Sequence, residues 1–244
     1  PKCLAAIMAR LHYFSRYQVQ PGDVAHESEN SIVRLAIDHS HLFEGPLTEK
    51  KCEEKKVVRV AIKFMRHRVQ YDREVSLRSS VAFDDKYVVP LLTSHDGDAD
   101  PAYKAETIKK GVPQYPYLIT MAQADRDLLS AIQHEHFAGR DFERVKLYAT
   151  QILEALMHVH SKGILHGDIK PLNVVRSGGR FKLIDLGSSV RFGSFAGTSK
   201  VSTAYLPPEM VFKKVAVFSG KLEAAPNEEK TDYFSTHERQ DYAL

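Results

Sequence analysis

The sequence predicts an α+β protein of two lobes, a β lobe followed by a mainly helical one. Three observations carry that expectation. Strand-like runs crowd the first half, at residues 31–37, 56–64, 87–92 and 117–121, each short and rich in β-branched or aromatic residues. From Arg126 onward the apolar residues take helical spacing, most clearly at 145, 148, 152, 155, 156 and 159. The composition changes near Ala122–Ala124, which is where the boundary is expected.

Residues 3–17 read as a short amphipathic helix that stops before Pro21-Gly22-Asp23, so residues 1–29 are expected to be an N-terminal extension. A strand over 31–37 follows, then a polar loop with Gly45-Pro46 and a charged run from Glu49 to Lys56. The run 56–64 suits a half-buried pleated surface, and residues 72–80 have helical potential. Residues 87–92 read as a strand, and 95–101, with Asp96, Gly97, Asp98 and Asp100, as a turn or flexible insert. After the 117–121 strand comes a helix over 142–161, stopped by Lys162-Gly163. Pro207-Pro208 and the charged stretch 221–232 read as surface segments, and the lobes are expected at 30–124 and 125–244.

Composition bounds the function classes. The 244 residues, 43% hydrophobic, suffice for a real core. Mean hydropathy is −0.33, and no stretch approaches the roughly 20 apolar residues of a membrane span. With 34 basic and 31 acidic residues the net charge is +3, too evenly mixed to argue for nucleic acid. Cys3 and Cys52 form no metal or redox motif, so a reduced, cytoplasmic setting is expected. His158 and His160, two apart on a helix, diverge by about 200° and cannot chelate one ion together. The chain begins at Pro1 and is expected to be a segment of a longer protein.

The chemistry concentrates in His166-Gly167-Asp168-Ile169-Lys170-Pro171-Leu172-Asn173, followed after a strand-like run by Asp185-Leu186-Gly187. Phosphoryl transfer from ATP needs such a set. One carboxylate orients the attacking hydroxyl, a cation steadies the transferred group, and an Asn and a second Asp hold magnesium. The order resembles the catalytic and magnesium loops of eukaryotic protein kinases, and Asp-x-Lys-x-x-Asn resembles the Ser/Thr type.

That resemblance implies a two-lobed protein-kinase-like fold, with a small antiparallel β lobe and a mainly helical lobe that is incomplete in this chain. It implies that Asp168 orients the substrate hydroxyl with Lys170 as the neighbouring charge clamp, and that Asn173 and Asp185 are the Mg2+ ligands. Lys63, in Val60-Ala61-Ile62-Lys63, would contact the α- and β-phosphates, with Glu74 as its carboxylate partner. Thr120 would screen the back of the adenine pocket, and Met121 to Gln123 would form the hinge. Ala61 would lie above the purine and Val175 beneath it. The stretch Ser202 to Glu209 is similar to the end of an activation segment, with Pro207 where Ala usually stands. The activation segment would then run from Asp185 to Glu209, with Ser188, Ser189, Ser194, Thr198, Ser199, Ser202 and Thr203 as its candidate phosphoacceptors.

Three departures qualify the resemblance. No Gly-x-Gly-x-x-Gly precedes Lys63, and Gly45 is the only glycine between Gly22 and Lys63. Gly167 replaces the Arg of His-Arg-Asp, and Leu186 replaces the Phe of Asp-Phe-Gly. The chain also ends at Leu244, before the remaining helices of the large lobe. The expected function is an ATP- and Mg2+-dependent protein Ser/Thr kinase acting on a protein substrate, with no membrane span in this segment and oligomeric state left open. A pseudokinase serving as a nucleotide-binding or scaffolding module is the second expectation, and a small-molecule phosphotransferase of the same fold the third.

Overall fold

The computed structural model describes residues 12–13, 16–39, 58–110, 114–194 and Tyr205. The chain divides into two compact units, Pro1–Val75 with Val89–Asp125, and Ser76–Val88 with Arg126–Leu244.

The first unit is built on strands β1 (His12–Tyr13), β2 (Tyr17–Ser28), β3 (Ser31–Asp38), β4 (Val58–Met65), β5 (Leu91–Asp96) and β6 (Tyr117–Ala122). They form one antiparallel sheet in the order β1-β2-β3-β4-β6-β5. Alternation along β4 puts Val60, Ile62 and Phe64 into a core with Tyr17, Val19, Ala36, Tyr103, Tyr115 and Leu118. Helix α1 (Arg68–Ser80) follows β4 directly, and helix α2 (Pro101–Lys109) lies between β5 and β6.

Three expectations for this region need correction. Residues 3–11 and 14–15 of the expected helix lie outside the described residues. Its last residue, Tyr17, begins a strand and is fully buried. The supposed extension 1–29 therefore supplies β1 and β2 to the sheet. Pro21-Gly22 does not end β2, because its ladder with β3 shifts register between Val19 and Val24 and again between Val24 and His26. A bulge is where a strand tolerates Pro and Gly. The strand expected over 87–92 is displaced to Leu91–Asp96, since Pro90 has no N–H for a ladder. Finally, the supposed insert at 95–101 leads into α2. Asp100 caps that helix by accepting from the N–H groups of Ala102 (2.9 Å) and Tyr103 (3.2 Å), with Pro101 in the first turn. That Asp-Pro pair was a legible start signal.

The second unit contains β7 (Arg126–Asp127), α3 (Leu128–Glu135), α4 (Phe142–Ser161), β8 (Ile164–Leu165), β9 (Val174–Ser177), β10 (Arg180–Leu183) and β11 (Val190–Arg191). Small sheets β10-β9-β7 and β11-β8 pack with α3 and α4. Helix α4 has the expected bounds. It is capped by Asp141, whose carboxylate accepts from the Arg144 N–H, and it stops before Gly163 at φ +70°. Ala155 and Val159 are buried in the core with Leu77, Val81, Val88, Ile164, Phe181 and Leu183, and Tyr148, Ile152 and Leu156 pack against it. Val145, expected on the same face, is 36% exposed. Residues 87–88 belong to this unit, where Val88 bridges Leu183 and the Tyr87 carbonyl accepts from the Leu183 N–H at 2.8 Å.

Candidate active site

In the first unit the candidate residues gather around β4. Lys63 pairs with Val33 on one side and Ile119 on the other, so its backbone is fixed in mid-sheet. Its Nζ donates to Glu74 Oε2 at 3.0 Å, with the two side chains 5% and 0% exposed. Glu74 sits in the second turn of α1, and the short connection after β4 is what brings it within reach. A cation and a carboxylate this deeply buried persist only as a pair, because either alone would carry an uncompensated charge.

The hairpin between β2 and β3 turns at Glu29–Asn30, and no glycine stands in the turn. Its tip is tied down. The Asn30 carbonyl accepts from the Arg66 N–H at 3.0 Å, the Asn30 side-chain oxygen lies 2.8 Å from His67 Nε2, and the Ser28 and Ser31 hydroxyls bond across the turn at 3.1 Å. Gly45 lies outside the described residues.

The second unit builds the other half of the candidate set. Ile164 and Leu165 pair with Arg191 and Val190, and the chain then enters the loop from His166 to Lys170. Asp168 is 5% exposed. Its Oδ2 accepts from Lys170 Nζ at 2.8 Å and from Asn173 Nδ2 at 2.9 Å. The same Asn173 amide also donates to the Asp168 carbonyl at 2.7 Å. Asp168, Lys170 and Asn173 thus form one hydrogen-bonded constellation. Pro171 starts the short 3-10 turn Pro171–Asn173 that delivers Asn173 to it.

Asp185 reaches the same neighbourhood through backbone ties. His166 Nε2 lies 2.9 Å from the Ile184 carbonyl, and the Ile184 N–H donates to the Asn173 carbonyl at 3.0 Å. The tautomer with its proton on Nε2 donates to Ile184 and leaves Nδ1 to accept from the Asp168 N–H at 3.4 Å. Asp185 adopts φ +62°, one of two left-handed non-glycine residues among those described. Such a conformation costs on the order of 1 kcal/mol or more and gathers at functional sites.

The donor set fits magnesium. Asn173 turns its amide nitrogen onto Asp168, which leaves Oδ1 for a cation, and Asp185 adds a carboxylate. No group of three or more His, Cys, Asp or Glu side chains that would hold a metal occurs among the described residues. Two hard oxygen ligands suit an ion that takes its remaining positions from water and phosphate.

The remaining candidates occupy defined positions. Ala61 pairs with Met121, and Thr120 and Ile62 are partners. Thr120 is fully buried, and its hydroxyl lies 2.7 Å from that of Thr93, which lies 2.9 Å from the Tyr17 hydroxyl. Met121 is paired on both edges, with Ala61 and Leu91, so it lies within the sheet rather than beyond it. Gln123 donates its backbone N–H to the Arg59 carbonyl at 3.1 Å. The expected hinge donor at Gln123 is therefore already engaged, because β4 and β6 stay together past Ala122. Val175 is 7% exposed on β9, opposite Asp127 and Lys182.

Sequence reading gave His166 no role and read Ser189 only as a candidate phosphoacceptor, yet the two residues tie the loops together. The Ser189 hydroxyl donates to the His166 carbonyl at 2.9 Å, and Ser189 is 1% exposed. That burial removes it from the expected phosphoacceptors. Thr198, Ser199, Ser202, Thr203 and the Pro207–Glu209 motif lie outside the described residues. No helix among the described residues is long and apolar enough to cross a membrane.

Residues 48–236 match the family model of the protein kinase domain, and the chain belongs to that family. Strands β1 to β3 precede this match yet complete the sheet that holds Lys63. The chain is 45% identical over 73 residues to Aurora kinase A-B of Xenopus laevis, covering 29% of this chain and 18% of that one. It is 30% identical over 157 residues to the serine/threonine-protein kinase PknG of Mycobacterium leprae, covering 54% and 20%. With an Aurora kinase of Patiria pectinifera it shares 32% identity over 121 residues, covering 49% and 27%. The matches thus span less than a third of the length of these curated relatives.

Proposed function

We propose that the protein is a Ser/Thr kinase that transfers the γ-phosphoryl of ATP to a protein hydroxyl. The observation that carries this reading is the buried constellation in which Lys170 and Asn173 both donate to Asp168 Oδ2, at 2.8 and 2.9 Å. Asp168 orients the substrate hydroxyl and receives its proton as the oxygen attacks the γ-phosphorus. The new oxygen–phosphorus bond forms while the bond from γ-phosphorus to the β,γ-bridging oxygen breaks, and ADP leaves. Lys170 keeps a positive charge beside Asp168, where the transferred phosphoryl is most anionic. Lys63, held on a rigid strand by Glu74, supplies the cation for the α- and β-phosphates. Asn173 and Asp185 would hold Mg2+. When bound, that ion neutralises charge on the phosphates and fixes their geometry. Ala61, Thr120 and Val175 would line the adenine site, with Met121 and Gln123 at its hinge. Since the Gln123 N–H is engaged by Arg59, its part in adenine recognition falls to its carbonyl.

The name of the relative PknG, a serine/threonine-protein kinase, supports the Ser/Thr assignment. One observation favours the second reading, a pseudokinase that binds nucleotide or scaffolds partners. The β2–β3 turn at Glu29–Asn30 has no glycine and is tied to Arg66 and His67, so it lacks the glycine-rich run of N–H groups that would cover phosphates.

The test is phosphotransfer by wild type, Asp168→Asn and Asp185→Asn, beside ATP-induced thermal shifts with and without Mg2+. Each Asn variant should lose about 100-fold or more of the rate, since positioning and charge supply most of the catalysis. Turnover within a few-fold of wild type in either variant would sink the assignment. A shift with ATP but no turnover in wild type would establish the pseudokinase.

A further inference from the structure

Asp96, the last residue of β5, pairs with Tyr117, the first of β6. Antiparallel strands whose ends already pair need only a hairpin of about two to five residues. Here the connection runs from Gly97 to Pro116 and carries α2.

The detour is anchored at its base. The Gly97 N–H donates to the Pro116 carbonyl at 2.8 Å, and a Cβ on Gly97 would stand 2.5 Å from that oxygen. Tyr103 of α2 is fully buried and donates its hydroxyl to the Tyr115 carbonyl at 3.2 Å. The acidic residues at the base are therefore presented from fixed backbone.

They grip α1. Arg68, its first residue, makes ion pairs through Nη2 to Asp96 Oδ2 at 3.1 Å, through Nη1 to Asp98 Oδ2 at 3.3 Å, and through Nε to Asp72 Oδ2 at 3.1 Å. Asp98 Oδ2 also accepts from the Tyr117 hydroxyl at 2.6 Å. The Tyr117 ring stacks on Tyr71 of α1, with centroids 5.1 Å apart. Burial and the Asp98 carboxylate push the Tyr117 hydroxyl up to about 12, so it stays a donor. Tyr71 and Glu74 are three apart on one helical face. The first turn of α1 is thus held by a guanidinium and by a ring, and the next turn carries Glu74 to Lys63.

We propose that Arg68 is a positioning residue: with Asp96, Asp98 and Tyr117 it latches α1 to the β5–β6 connection and so keeps Glu74 on Lys63. This rests on the kinase reading only for its consequence on rate. Exposed ion pairs are individually weak and screened by salt, so the latch is adjustable while the fold is not.

The test reads Lys63 directly, by its rate of acetylation with trace acetic anhydride, measured by peptide mass spectrometry. Arg68→Ala should raise that rate on the order of threefold, the scale of one or two exposed pairs, with Arg68→Lys between it and wild type. Raising NaCl from about 0.1 M to about 1 M, which cuts the screening length from about 10 Å to about 3 Å, should raise the wild-type rate and leave Arg68→Ala unchanged. Tyr117→Phe, which keeps the stack and loses the hydroxyl, should shift the rate in the same direction and decides the matter if Arg68→Ala does not fold. Lys63 reactivity indifferent to all these changes would overturn the latch. Because the readout needs no turnover, an inactive protein whose Lys63 responds would refute the kinase reading and leave the latch standing. An active protein whose Lys63 does not respond would do the reverse.

Discussion

A Cβ built on Gly167 would stand 2.4 Å from the backbone carbonyl oxygen of Ser188, and Gly167 itself sits at φ +77°. The residue ahead of the candidate base is therefore glycine for two independent reasons. Its backbone conformation is left-handed, and the loop following Asp185 fills the space where a side chain would go.

Gly167→Ala should accordingly cost about 1–3 kcal/mol from the left-handed backbone alone, with the clash added. For a chain of this size that lowers Tm by at least about 2–4 °C per kcal/mol. His166 and Asp168 flank the substitution, so phosphotransfer should fall by more than the stability loss explains. A Tm and a rate both equal to wild type would show that the Ser188 carbonyl moves aside freely. Glycine at 167 contributes no guanidinium to pair with a phosphorylated loop. Phosphatase treatment should thus change the rate by less than about tenfold (~1.4 kcal/mol).

The hydroxyl chain from Tyr17 through Thr93 to Thr120 couples the first long strand to the residue assigned to the back of the adenine site. Tyr17→Phe removes one end of it and should cost about 1 kcal/mol, a few degrees of Tm. In a double-mutant cycle with Thr93→Val the two losses should be non-additive by about 0.5 kcal/mol or more. Strict additivity would mean the hydroxyls are neighbours without energetic coupling.

His158 gives the second unit a pH dependence. Burial pushes its imidazole below the ordinary histidine value, the Lys162 charge adds to the shift, and Asp84 opposes it. Its Nε2 accepts from the Asp84 N–H at 3.0 Å, a bond only the neutral ring makes, and the ring stacks on Tyr87 with centroids 4.9 Å apart. The unfolded chain takes up the proton at higher pH than the folded one. The stabilisation is therefore complete above about pH 6.5 and declines as pH falls from there through the folded value. Between about pH 7.5 and about pH 5, His158→Gln, which keeps an acceptor without titrating, should show a shallower fall of Tm than wild type. Parallel curves would assign the acid sensitivity to other groups.

Much of the candidate site was legible because its residues are close in sequence. Asp168, Lys170 and Asn173 lie within six positions, and their spacing alone brings them together once the loop turns at Pro171. The partner of Lys63 was legible for a related reason, since the short run from β4 into α1 leaves few carboxylates in range and Glu74 is one of them. His166 and Ser189 were not legible as ties. Their roles depend on Ile184 and on each other across a chain reversal that no local pattern encodes.

By itself the sequence determined strand β4, strand β6, helix α4 and the Asp168–Lys170–Asn173 constellation, because each follows from side-chain periodicity or fixed spacing over a few residues. Tertiary structure alone decided the rest. It turned Pro21-Gly22 from a stop into a bulge, because β3 supplies a ladder that local propensity cannot see. It moved residues 87–88 out of the β5 strand, because Leu183, in their own unit, offered them a partner. It made the acidic stretch at 96–100 a grip on α1 rather than a loose turn, because Arg68 is brought to it from 28 positions away (96 − 68). Local propensities set what a segment prefers, and pairing between distant segments, once the chain has reversed, sets which preference survives.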